Sequence, residues 1–228
     1  MSEGITRERA DTQARLLSAA VGVFADRGVL AGTIEEICER AGFSRGAFYS
    51  NFESKDELVL ALLARGRQQS IAGVAGLVSD AVEATPSDDM EKMLQMALGQ
   101  WVQAQSTDRE WILASTEIRL YAAREPGIRA AYLEHRDAAN RETVAALQQV
   151  VDRYGLELSM PISVTVEMLT PVFEACMLDA VMRLPDGHGD IKQLEPETLA
   201  EVMLPMTTLI NRWVVGIAAL GNGPQRSE

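Results

Sequence analysis

The sequence predicts an all-α protein, in which three N-terminal helices, the second and third short, lead into a long fourth helix and then into a helical bundle. Three observations carry this expectation. Apolar residues recur at intervals of three and four over most of the 228 residues, the spacing at which side chains share one face of an α-helix. No segment shows the apolar/polar alternation of a half-buried strand. Hydrophobic residues make up 47% of the chain and aromatic residues only 5%, so the cores must be built mainly from Ala, Leu, Val and Met.

The elements follow in order. From Thr6 to Arg27, the residues Leu17, Ala20, Val21 and Phe24 stand at i, i+3, i+4 and i+7, and Gly28 follows as a stop. Thr33 precedes Ile34, Ile37, Cys38 and Ala41 at helical spacing and forms a capping box with Glu36, while Gly42 ends this short second helix. Ser44 caps a third helix running to Asn51, in which Phe48 and Phe52 share a face. Ser54 with Glu57 makes another capping box and opens a fourth helix from Lys55 to about Ala84. Helical patterns then cover Met90 to Ser106, Asp108 to Arg124, Pro126 to Tyr154, Ile162 to Leu184 and Glu197 to Leu220, with a loop from Pro185 to Pro196. Pro171 and Pro205 are expected to kink or interrupt the last two helices. The expected domains are 1–66, a helix-turn-helix head, and 67–220, a helical bundle, followed by a disordered tail at 221–228.

Charge narrows the function classes. The net charge of −12 argues at first against a nucleic-acid partner, because phosphate binding is driven by Lys and Arg. Its distribution weakens that objection: residues 1–67 are nearly neutral, with nine Lys/Arg against ten Asp/Glu, and the acidity belongs to the remainder. No run approaches the 18 or so apolar residues of a membrane span. The first twenty residues carry Glu3, Glu8, Asp11 and three arginines instead of a signal peptide's apolar centre, so a cytoplasmic protein with no membrane partner is expected. Cys38 and Cys176 lie far apart in apolar patterns and read as reduced core residues. Catalysis finds little support: there is no Gly-rich phosphate loop, His135 and His188 stand alone, and Glu167 with Glu174 lacks a third metal ligand. No enzyme activity, metal or cofactor is expected.

The turn Gly42-Phe43-Ser44 has the length and glycine content of a helix-turn-helix. With Phe48 and Phe52 inward, Gly46, Ala47 and Ser50 fall on the opposite face, which is small for a surface helix. Gly46 costs about 1 kcal/mol of helix propensity relative to Ala, which makes sense if the backbone must approach something closely. Arg45 stands at the helix start, where it can donate two hydrogen bonds to guanine, and Asn51 can pair with adenine or a phosphate. The hydroxyl of Tyr49 suits a phosphate, as do the backbone donors near Thr33, Ser44 and Lys55 and the charge of Lys55 itself. Each residue also has a plainer role, as helix cap (Thr33, Ser44), core aromatic with a wet hydroxyl (Tyr49) or solvated charge (Arg45).

The run from Gly32 to Leu58 resembles the DNA-binding domain of the TetR family, with Phe24, Gly28, Ala41-Gly42, Phe48-Tyr49, Phe52 and Lys55-Asp56-Glu57-Leu58 where that family's pattern puts them. Gly32, in place of the usual Thr or Ser, and Cys38, in place of Ala, depart mildly from it. The resemblance covers about residues 12–63. It implies phosphate contacts from Thr33, Tyr49 and Lys55, and groove contacts from Ser44, Arg45, Gly46, Ala47 and Asn51. It further implies a homodimer on palindromic double-stranded operator DNA, a repressor's role, and release by a small apolar or amphipathic effector. Candidate effector residues are Trp101, Trp111, Glu117, Arg119, Tyr121, Met168, Phe173 and Met177, all of which also suit a simple core. Two apolar stripes are candidate dimer contacts or, alternatively, intramolecular core: Leu169, Val172, Phe173, Cys176, Met177, Ala180, Val181 and Leu184, then Leu209, Trp213, Ile217 and Leu220. The alternative function is a helical protein-interaction module that retains a helix-turn-helix head.

Overall fold

A computed structural model describes residues 2–68, 108–154, 159–185 and 189–221. The part of the fourth helix expected from residue 69 to Ala84, the helix expected at Met90 to Ser106 and the tail from 222 lie outside these residues. Among the described residues there are eight α-helices and no strand: α1 (Ser2–Ala31), α2 (Ile34–Ala41), α3 (Arg45–Tyr49), α4 (55–68), α5 (Arg109–Arg124), α6 (Pro126–Tyr154), α7 (Ile162–Met182) and α8 (Pro196–Gly221). A 3-10 turn, Ile191–Gln193, precedes α8. Two compact units are present: Met1–Arg67 joins Asp108–Arg136, and the described residues from Asp137 onward belong to the other.

The first unit owes its shape to where its helices stop. Gly28 breaks α1 with φ 75 and ψ 162, a conformation that L side chains rarely adopt, and the chain after it turns Val29 fully inward. The Thr33 capping box forms as the sequence predicts: Glu36 N–H donates to Thr33 Oγ1 (3.2 Å), and Thr33 N–H donates to Glu36 Oε2 (2.9 Å). At the other end of α2, Gly42 takes the left-handed conformation and Phe43 N–H donates to Cys38 O at 2.9 Å. The guanidinium of Arg15 seals that end, donating to Ala41 O (2.9 Å) and stacking 4.4 Å over the Phe43 ring.

The core of this unit gathers Leu16, Ala20, Phe24, Ile37, Phe48, Leu58 and Leu62 from the first four helices. Ala114, Ile118, Tyr121 and Ala122 of α5 enter the same core, as does Ile128 of α6. One core therefore holds α5 together with the first four helices, whereas chain order alone groups α5 with the later ones. Spacing in α5 says that one face is buried; it does not say against what. Polar contacts reinforce the packing. Arg40 donates to Asp26 and to Glu110, both at 2.8 Å, its side chain lying over Gly22 where a β-carbon would collide. Tyr121 Oη donates to Asp56 Oδ1 at 2.7 Å.

In the second unit α7 packs on α8. Pro171 and Pro205 interrupt neither helix, which leaves a kink as the other expected effect. Each stands at an exposed position, and the residues four places earlier, Glu167 and Glu201, are also exposed, so their carbonyls can bond to water in place of the missing N–H. The stripe Leu169, Cys176, Met177, Ala180, Val181 and Leu184 is buried within this unit of a single chain, beside the buried Ile191, Val202, Met203 and Met206. Of the two roles left open for the stripe, these side chains fill the core, while its Val172 and Phe173 are half-buried. Leu209 of the second stripe is half-buried, and the side chains of Trp213, Ile217 and Leu220 lie outside the described residues.

Burial, followed by the bond to Asp56, pushes the Tyr121 phenol up to about 12 from its ordinary 10. The folded state thus holds this proton more tightly than the unfolded state. Its contribution to stability is complete below pH 10 and is lost as pH rises to about 12. Thermal denaturation should show a gap in Tm between the parent and Tyr121→Phe that is constant below pH 10 and narrows toward pH 12.

Candidate nucleic-acid interface

The turn between α2 and α3 presents one face of a very short helix. Ser44 caps α3 by accepting from Ala47 N–H at 3.2 Å. Ser50 N–H donating to Gly46 O (3.0 Å) and Phe52 N–H to Phe48 O (2.9 Å) carry the helical path past Tyr49. Phe48 and Phe52 turn into the core with ring centroids 5.8 Å apart. Ser44, Arg45, Gly46, Tyr49 and Ser50 are exposed on the other side, and Ala47 is half-buried.

Gly46 is the informative position. A β-carbon built there would meet only Ser44 Oγ, at 3.6 Å, and the backbone is not in the left-handed region. Nothing in the described fold demands glycine. The absent side chain opens space on the outside, beside the two largest exposed side chains of the helix. One is Tyr49, 49% exposed and set edge-on to Phe48 at 5.4 Å. The other is Arg45, whose Nη1 lies 2.6 Å from Glu35 Oε1 and whose Cζ is 5.9 Å from the Tyr49 ring centroid.

The remaining interface candidates are engaged locally. The Thr33 hydroxyl donates to Glu36 Oε2 at 3.0 Å while it caps α2. The Thr33 N–H, and after it the hydroxyl, hold the Glu36 carboxyl below the usual carboxylate range. Asn51 turns back on its own helix: Nδ2 donates to Ala47 O at 2.8 Å, and the buried Oδ1 has no hydrogen-bond partner among the described residues. Lys55 departs furthest from the sequence expectation. Its Nζ donates to Val29 O (2.6 Å), Gly32 O (3.0 Å) and, more weakly, Leu30 O (3.4 Å), so its three protons face the carbonyl end of α1. Burial pulls its pKa down.

The effector candidates fall in both units. Trp101 lies outside the described residues. Trp111, Glu117, Arg119 and Tyr121 are on α5 in the first unit. Trp111 lies against Gly66, where a β-carbon would fall 2.6 Å from its Cζ2, and Glu117 faces Gly28. Met168, Phe173 and Met177 are on α7 in the second unit. Nine residues separate Met168 from Met177, half a rotation of the helix beyond two full turns. Met177 is accordingly buried while Met168 is 41% exposed, and Phe173 is half-buried. Sequence reading gave no role to Arg15 or Arg40. The partners of Arg40 stand 14 and 70 residues away, beyond any local pattern.

The geometry can be set beside known proteins. Residues 16–62 match the profile of bacterial regulatory proteins of the tetR family. These limits are Leu16 and Leu62, both fully buried in the core beneath α3. The chain is 44% identical over 66 residues to the HTH-type transcriptional activator FasR of Mycolicibacterium smegmatis, covering 29% of this chain and 30% of FasR. It is 30% identical over 107 residues to the uncharacterized HTH-type transcriptional regulator TtgW of Pseudomonas putida, covering 41% of this chain and 80% of TtgW. The chain belongs to the TetR family. Over 85% of its length it is also 24% identical to the HTH-type transcriptional repressor AcnR of Corynebacterium glutamicum, of which 89% is covered. The fold agrees with a solved TetR-family transcriptional regulator from Agrobacterium tumefaciens, with a TM-score of 0.58 at 20% identity over 90% of this chain and 98% of that one. Among the described residues no helix is long and apolar enough to cross a membrane.

The cap made by Lys55 is open to a direct check. Lys55→Met leaves carbonyls at the end of α1 without their donor, and urea denaturation should show a loss of about 1–3 kcal/mol.

Proposed function

We propose that this chain is a transcriptional repressor that binds a palindromic operator in double-stranded DNA as a homodimer and leaves it when a small apolar or amphipathic effector binds. The observation that carries the DNA half is the open space at Gly46, beside Arg45 and Tyr49 on a helix whose other face is locked into the core. In this reading Arg45 donates to a guanine edge, while Gly46 and Ala47 let the backbone close on the groove. Ser44 and Tyr49 donate to phosphates, while Thr33, whose N–H and hydroxyl both go to Glu36, serves as the cap of α2. Lys55 and Asn51 serve by positioning, Lys55 by fixing the start of α4 against α1 and Asn51 by bracing α3.

The homodimer is supported by an apolar face other than the one the sequence pointed to. Val164, Met168, Pro171, Ala175 and Met182 follow one another at helical spacing along α7; Val164, Met168 and Met182 are 41%, 41% and 70% exposed. Repression is the sign in the name of AcnR, a relative matched over 89% of its length, whereas the activator FasR is matched over 30% of its own. An effector acts by linkage: it must favour the head spacing that does not fit the operator. Because α5 shares the core of the head, a shift of α5 is felt directly by the helices that carry α3.

Footprinting on DNA flanking the gene should reveal a protected palindrome, and equal affinity for random duplexes would sink the proposal. Arg45→Ala should weaken operator binding by about 1–3 kcal/mol. Gly46→Ala should raise thermal stability, by up to about 1 kcal/mol, while weakening operator binding. The dimer is tested separately: Met168→Arg combined with Met182→Glu should give monomers by sedimentation and a loss of operator affinity with the fold intact, and an unchanged dimer would remove α7 from the interface.

A further inference from the structure

Arg45 is not free on the surface of α3. Glu35, in the first turn of α2, holds its Nη1 at 2.6 Å, and its Cζ lies over the Tyr49 ring, 5.9 Å from the centroid. Both members of the ion pair are well exposed, at 61% and 56%, and an exposed pair of this kind contributes little to folding. Its position is nonetheless well defined. The two helices that carry it are joined by a turn fixed at Gly42 and capped at Ser44, so the main chain sets where the Glu35 and Arg45 side chains begin.

We infer that Glu35 is a positioning residue for Arg45, orienting its guanidinium toward a guanine edge and disfavouring its use on phosphate. This rests on the DNA-binding function proposed above. A guanidinium carries five donors in one plane. With Nη1 on Glu35, the other edge keeps donors that can meet guanine O6 and N7, and the side chain arrives with its rotamer already restricted. On a duplex without that guanine, Arg45 gains only a phosphate, and reaching it means leaving one anion for another. The Glu35 carboxylate then faces the phosphate backbone unneutralised and repels it. Glu35 thus separates operator from random DNA without touching a base.

The test is a selection from operator duplexes randomised one base pair at a time, read for the parent, Glu35→Gln, Arg45→Ala and the double variant. Glu35→Gln should relax discrimination by roughly three- to ten-fold at the same base pair that Arg45→Ala relaxes, and leave the other positions unchanged. Its affinity for a scrambled duplex should rise, and in the Arg45→Ala background it should relax no further position. All four proteins should melt together within a few degrees by circular dichroism, because the pair is exposed. Three outcomes overturn the role of Glu35 while leaving DNA reading by the chain intact: no change in discrimination, the same change at every position, or an effect that persists without Arg45. If the parent selects no sequence, the proposed function falls and this inference with it.

Discussion

The burial of Phe48 is the contact on which the first unit depends. A five-residue helix has too few internal hydrogen bonds to hold itself, and α3 persists because its aromatic face is packed among Phe24, Ile37, Leu58 and their neighbours. Once Phe48 and Phe52 point inward, the helix has only one orientation left. Arg45, Gly46 and Tyr49 must then face out, so the chemistry of the interface follows from the packing beneath it.

Cations finish what the apolar core begins. Arg15 closes the end of α2, Lys55 the end of α1, and Arg40 links α1, α2 and α5 through Asp26 and Glu110. Arg45 is paired with Glu35. Several of the nine basic residues in 1–67 are therefore occupied within the unit, and its overall charge is close to neutral. Such a head has little undirected attraction for phosphate. Selectivity in this arrangement rests on shape and on a few oriented donors more than on bulk charge.

The membership of α5 in that core has its own consequence. A helix distant in the chain shares Ala114, Ile118 and Tyr121 with the residues supporting α3, and is tied to them by Tyr121 with Asp56 and by Arg40 with Glu110. Close-packed interiors do not deform smoothly, so movement of one such helix carries its neighbours with it. The second unit presents a different economy: α7 buries Cys176, Met177 and Ala180 on one face and keeps Met168 and Met182 on another.

The helices, their caps and the helix-turn-helix were legible in the sequence because they are local. Thr33 with Glu36, Ser44, Gly28 and Gly42 act within a few residues, and a period of 3.6 declares which side chains share a face. Periodicity cannot say what a face meets. It left open whether the Leu169 to Leu184 stripe is core or interface, and it grouped α5 by chain order. Nor can composition say whether a charge is free: Lys55 and Asn51 read as outward donors, and the fold turned both to main-chain carbonyls. The sequence by itself determined the all-α class, the helix-turn-helix and the small outward face at Gly46. Only the tertiary structure decided which donors remain for a partner, because capping by Lys55 and pairing by Arg40 join residues that come together when separate helices pack.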